Sequence, residues 1–327
     1  MGLTSKGKIR LKRTCREEQV QWFEDPTNQD PSFTRRNAIR TLLFSKNARS
    51  RLPRALQKPA LLGLAQRVAE AEARISKRAE RILSKLDFRF GPGTGTLQTE
   101  LPIKGGETLD TLRPERARVL LRVLTIIAEK ASPLLKIKRH AMIGVLSAMF
   151  NRPQKSPLVF TAAGLSWIGG AGGVWTLRRV PHTTRSRLEA TVGFELGGPG
   201  IWSDWKLWDG RWWMRIRATG TEVDCVVVRP LSQIETKQLK MRLMQLGRDD
   251  VLDELRKMRG NSLFTVPVLA LAVEEGTASP DGVFRQFRER PLLGLPTFDV
   301  HLLKRRHESD IGERLVEWEI AFKTPIP

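Results

Sequence analysis

The 327-residue chain carries 56 Lys and Arg against 35 Asp and Glu, a net charge of +21, with 40% hydrophobic residues. That balance marks a binder of polyanions, nucleic acid first and anionic membrane second, with enough apolar material for real cores in roughly two domains. The absence of tyrosine excludes enzymes that attack through a tyrosine nucleophile, and two distant cysteines, Cys15 and Cys225, give no disulfide framework and no cysteine-based zinc site.

Residues 1–59 hold 14 Lys and Arg against five acids and read as a basic arm, partly flexible, with one short helix candidate around Arg36 to Phe44. Lys8, Arg10, Lys12, Arg13, Arg35, Arg36, Arg49, Arg51 and Arg54 are its candidate phosphate contacts. The first residues lack the apolar core of a secretory signal, and Lys6 stands where a myristoylation signal needs Ser or Thr. The expected location is therefore intracellular (cytoplasm, nucleus or a virion-like particle), with organellar import left open.

From Ala60 to Leu86 apolar residues recur every seven positions at Leu61, Val68, Ile75 and Ile82, predicting a helix whose stripe packs internally or self-associates. Its other face is Arg67, Arg74, Lys77, Arg78, Arg81 and Lys85. The Gly91–Gly95 run lacks the Lys-Ser/Thr ending of a phosphate loop and reads as a turn. Pro114 opens a helix to about Ala131, and Ser132-Pro133 opens another to about Phe150, completing a helical domain over residues 60–153. The cluster Lys136 to His140 lies at its end as a solvated face or a phosphate contact.

After Pro153 the period changes to two. Strands are expected at Val174–Val180, Leu188–Leu196, Trp202–Leu207, Arg211–Ala218 and Glu222–Arg229, then at Leu263–Val273, Phe298–Leu303 and Leu315–Phe322. A two-helix insertion over about 231–260, opened by Ser232 and Glu235 as a capping box, covers the sheet. The whole is an α+β protein: an N-terminal basic arm and helical domain, followed by an antiparallel β-sheet domain over 154–327 covered by helices.

Within that sheet, Asp209-Gly210 predicts a two-residue type I′ hairpin pairing Trp208 with Arg211, Leu207 with Trp212 and Lys206 with Trp213. That register buries Trp205, Leu207, Trp212, Met214 and Ile216. It leaves Trp202, Lys206, Trp208, Arg211, Trp213, Arg215 and Arg217 on a solvent face where bases would stack on indoles and cations would neutralise phosphates. His301, His307, Glu308 and Asp310 cluster in a charged turn rather than in a ligand pattern, and no phosphate-loop, zinc-helix or nucleophile-elbow motif occurs, so no catalytic, metal or cofactor residue is assigned. The sequence thus favours a non-enzymatic protein binding RNA or single-stranded DNA, RNA slightly preferred, such as a packaging, nucleoprotein-type or structural component. Its alternatives are a peripheral membrane or matrix-like protein on anionic lipid, and a nucleic-acid-processing enzyme.

Overall fold

A computed structural model describes residues 5–23, 25–44, 53–101, 103, 111–150, 158–170, 173–258, 260–274, 287–303 and 314–323. Residues 1–74 and 75–327 form two compact units, and the fold is α+β.

In the first unit the arm is more ordered than its composition suggests. A helix α1 spans Ser5–Glu17, with an Arg13–Glu17 pair one turn apart. The predicted short helix exists as α2, Arg35–Phe44. Asn37, almost fully buried, donates through Nδ2 to the carbonyls of Thr27 and Asp30 at 2.7 and 3.0 Å. These bonds tie the start of α2 to the preceding turn, whose Pro26–Gln29 helical turn is capped by Asp25. Helix α3, Lys58–Leu83, follows, and from Ile75 onward it belongs to the second unit. The seven-residue stripe is uneven along it: Val68 is exposed, whereas Ile75 and Ala79 are buried.

The second unit begins with a five-stranded antiparallel sheet of β1 Phe88–Gly91, β2 Thr96–Glu100, β3 Leu158–Ala162, β4 Leu165–Gly169 and β5 Val174–Arg179, in the order β1-β2-β5-β4-β3. Leu97, Leu165, Trp167 and Leu177 alternate onto one face. They pack under helices α4, Pro114–Ala131, and α5, Arg139–Phe150, through Val123, Leu124, Ile127, Met142 and Val145. The segment read as purely helical therefore contributes two strands, and its sheet continues past residue 153. The Gly91–Gly95 run is the β1–β2 turn, with Gly95 at φ +63. Ser132 does not cap the second helix. It closes α4, its hydroxyl donates to Ala163 O, and α5 starts only at Arg139.

A helix α6, Thr184–Glu189, with a Thr183–Ser186 capping box, takes the first two residues of the stretch Leu188–Leu196 expected as a strand. Local capping chemistry overrides the alternation of Leu188 and Ala190, and only β6, Val192–Glu195, is extended. Strands β7 Lys206–Trp208, β8 Trp212–Ala218 and β9 Cys225–Pro230 follow, then α7 Thr236–Gln245 and α8 Asp249–Lys257, then β10 Pro267–Glu274, β11 Phe287–Leu295, β12 Val300–His301 and β13 Val316–Phe322. One sheet has the order β12-β11-β10-β9-β6 and the other β13-β8-β7. The two face each other through Phe194, Val226, Val228 and Leu269 on one side and Trp208, Trp212, Met214 and Ile216 on the other. The apolar faces of α7 and α8 cover the opposite side of the five-stranded sheet, with Leu239, Leu243, Val251 and Leu252 against Val268 and Val300.

Candidate nucleic-acid interface

The hairpin joining β7 to β8 turns at Asp209-Gly210, and both residues have positive φ (+45 and +61) with Arg211 N donating to Trp208 O at 3.0 Å. The expected turn is present, but the ladder is one residue out of the expected register. Trp208 pairs with Trp212, Leu207 with Trp213 and Lys206 with Met214, leaving Arg211 as an extra loop residue. A one-residue slip turns every side chain of the slipped strand to the opposite face. Strand β8 keeps its predicted faces, with Trp212, Met214 and Ile216 buried. Strand β7 is inverted. Trp208 is 0% exposed, with Nε1 donating to Ala190 O at 2.7 Å, while Trp205, expected inside, is 42% exposed.

The slip has a physical cause in Arg211, which is 0% exposed and lies with its guanidinium 4.0 Å over the Trp212 ring. Its Nε donates to Asp209 Oδ2 at 2.8 Å and its Nη2 to Thr265 O at 3.2 Å. Arg179 donates to the same carboxylate from Nε at 3.2 Å. Burial pushes the Asp209 carboxyl up, but Arg211 and Arg179 outweigh it and hold the group below the ordinary carboxylate range. His182, alongside, is lowered to about 4 by burial despite the attraction of Asp209, and is neutral at physiological pH. A Cβ on Gly210 would fall 2.0 Å from the carbonyl oxygen of Pro133, so only glycine fits. Lys323 Nζ donates to the neighbouring Ser132 carbonyl, and Lys323 N to Arg211 O. This buried cluster clamps the hairpin tip to the loop after α4. Arg211 and Trp208 are corrected from solvent contacts to core residues.

The outer face that remains holds Trp205 and Trp213 exposed, Trp202 half-buried, and Arg215 and Arg217. Arg215 lies 4.7 Å from the Trp202 ring and 5.0 Å from Trp205, and Arg217 lies 4.6 Å from Trp202. Across the ladder β13 supplies a carboxylate for each: Glu319 to Arg215 at 2.7 Å and Glu317 to Arg217 at 2.5 Å. Two cations and two anions cancel. Lys206 points the other way, donating to Gly193 O at 2.7 Å over the Phe194 ring. The face offers indoles but no net positive charge, unlike the expected platform. The alternation of Glu317 and Glu319 in β13 was readable in the sequence; its pairing with β8 was not.

Of the arm residues, Lys8, Arg10, Lys12 and Arg13 lie on α1, with Arg13 paired to Glu17. Arg35 and Arg36 are exposed on α2, Arg54 is exposed in a single helical turn, and Arg49 and Arg51 lie outside the described residues. His301 stacks on Trp318 at 3.8 Å, while His307, Glu308 and Asp310 also lie outside them.

A second cationic feature is concave. Between the end of α3 and the start of α4 a groove of about 430 Å³ is lined by Arg78, Arg81, Arg113, Arg116 and Glu115, with Ile82 and Val119 as its apolar floor. Arg78 Nη1 meets Glu115 Oε1 at 2.5 Å. Among the described residues that line the groove, four guanidiniums against one carboxylate give a net charge of +3, and the cationic face of α3 read from the sequence supplies two of them.

No family model matches the chain. It is similar to a Schizosaccharomyces pombe protein named probable tRNA(Ile)-lysidine synthase, at 23% identity over 291 residues that cover 89% of this chain and 55% of that protein. The chain thus spans about half the length of the curated relative it matches. The relative is named as an enzyme. This match overturns the sequence-based preference for a non-enzymatic packaging, nucleoprotein, structural or matrix-like component. Composition and missing motifs led to that preference, and neither reports on chemistry assembled from scattered residues. Among the described residues no helix is long and apolar enough to cross a membrane.

Proposed function

We propose that the chain acts on tRNA as part of an RNA-modifying enzyme of the kind its relative is named for, with a share of its surface devoted to holding the RNA. The observation that carries this is the similarity along 89% of the chain to a protein named tRNA(Ile)-lysidine synthase. The net charge of +21 supports it, because RNA binding draws much of its free energy from releasing counterions around neutralised phosphates. So does the distribution of that charge. The cations of the sheet face are neutralised by Glu317 and Glu319, whereas among the described residues lining the groove at α3 and α4 the guanidiniums outnumber the carboxylates.

Fluorescence anisotropy with labelled tRNA(Ile), run beside anionic-vesicle flotation, tests the reading. The expected result is salt-sensitive tRNA binding with log affinity falling linearly against log salt. Absence of tRNA binding at low salt, or binding to vesicles alone, refutes it.

A further inference from the structure

We propose that the groove between α3 and α4 is an RNA phosphate-binding site, in which Arg81 and Arg113 take the backbone of the bound tRNA and Glu115 moderates the affinity. The inference rests on the tRNA-acting reading and adds where the RNA is gripped.

Three observations support it. The first is shape: the feature is a cleft rather than a flat patch, and a cleft with one sign of charge above a low-dielectric floor focuses the field. Ile82 and Val119 provide that floor. The second is the chemistry of the lining. The cations nearest the groove are all arginines, whose planar fork matches two phosphate oxygens at once and sheds water more readily than an ammonium. The third is the rim. Lys77 on α3, Lys85 just beyond it, and Arg118 and Arg122 on α4 are all exposed, so positive charge continues along both helices away from the groove. On one helix, residues four apart lie about 6 Å apart along its axis, one charge per turn for a polyanion to follow.

Other clusters are less suited. Arg185 is paired with Glu189, Arg248 with Asp250 and Arg256 with Asp253, each with its own carboxylate. A second copy of this chain is an unsuitable occupant because each copy carries +21.

Glu115 gives the proposal a test of opposite sign. It engages Arg78 at 2.5 Å and places a negative charge where phosphate would sit. Removing that charge frees Arg78 and lessens repulsion, so Glu115→Gln should tighten tRNA binding by roughly 2- to 5-fold, the range of an exposed pair. A variant that merely damages the fold does not bind more tightly.

The experiment measures tRNA(Ile) affinity of the full chain from 50 to 300 mM salt for four proteins: wild type, Arg81→Gln with Arg113→Gln, Glu115→Gln, and the charge-matched control Lys237→Gln with Lys240→Gln on α7, with a thermal melt of each. The expected result is that the arginine pair lowers the salt slope by about 2 and the affinity roughly tenfold or more with an unchanged melt. The control should leave the slope unchanged, and Glu115→Gln should bind more tightly. If wild type binds tRNA and the groove variants match it, or the control loses as much slope as they do, the groove proposal is overturned while the tRNA reading stands. If wild type does not bind tRNA, both are overturned.

Discussion

Replacing Trp208 by alanine distinguishes the observed hairpin register from the one its turn dipeptide suggests. The indole is 0% exposed and tilted against Trp212 at a centroid distance of 5.6 Å, and its Nε1–H satisfies Ala190 O at 2.7 Å. Truncating a buried tryptophan costs about 3–5 kcal/mol through lost burial and the cavity left behind, and an orphaned buried carbonyl adds roughly 1 more, for a total of about 4–6. Trp205, 42% exposed and in contact with Arg215 at 5.0 Å, should cost only about 1 kcal/mol when truncated. Trp208→Phe keeps most of the volume and loses mainly the hydrogen bond, so it should fall between them at about 1–2 kcal/mol. Urea unfolding followed by circular dichroism gives all three values. A two-residue hairpin would bury Trp205 and expose Trp208, so a larger loss for Trp205→Ala than for Trp208→Ala would refute the register.

The clamp at the hairpin tip makes further predictions. Asp209→Asn strips Arg179 and Arg211 of the carboxylate they share and should cost about 3–5 kcal/mol in urea unfolding, because it leaves buried charge uncompensated; a loss below 1 would mean the cluster contributes little. His182 has a folded pKa of about 4 against 6.5 when unfolded, so the neutral form is the one the fold favours. Its contribution is complete above pH 6.5 and is lost as pH falls toward 4, up to about 3 kcal/mol, and unfolding curves of His182→Gln should lack that part of the slope. Gly210→Ala must move the Pro133 carbonyl or abandon the positive φ, and should lower the melting temperature by several degrees, read by calorimetry.

Much of the architecture was legible because it rests on local chemistry. Pro114 at a first helical position, the apolar stripe through Val123 and Ile127, and the strict alternation of Trp212, Met214 and Ile216 each specify an element without reference to the rest of the chain. The errors arose where a distant partner decides. Arg211 reads as a solvent cation until Asp209, Thr265 and Trp212 enclose it, and its inclusion in the loop moves β7 by one residue. Leu188 and Ala190 alternate like a strand, yet Thr183 and Ser186 cap a helix there. The sheet face appeared basic because Glu317 and Glu319, a hundred residues away, were not known to pair with Arg217 and Arg215. The groove drew on cations already noted on α3, but Arg113 and Arg116 meet them only through the packing of α4.

The most direct test of the tRNA-modifying reading is nucleoside mass spectrometry of isoleucine tRNA from source-organism cells with and without the gene for this chain. Loss of lysidine from that tRNA on deletion, restored by the wild-type chain, is the expected result. Unchanged lysidine after deletion would contradict the account.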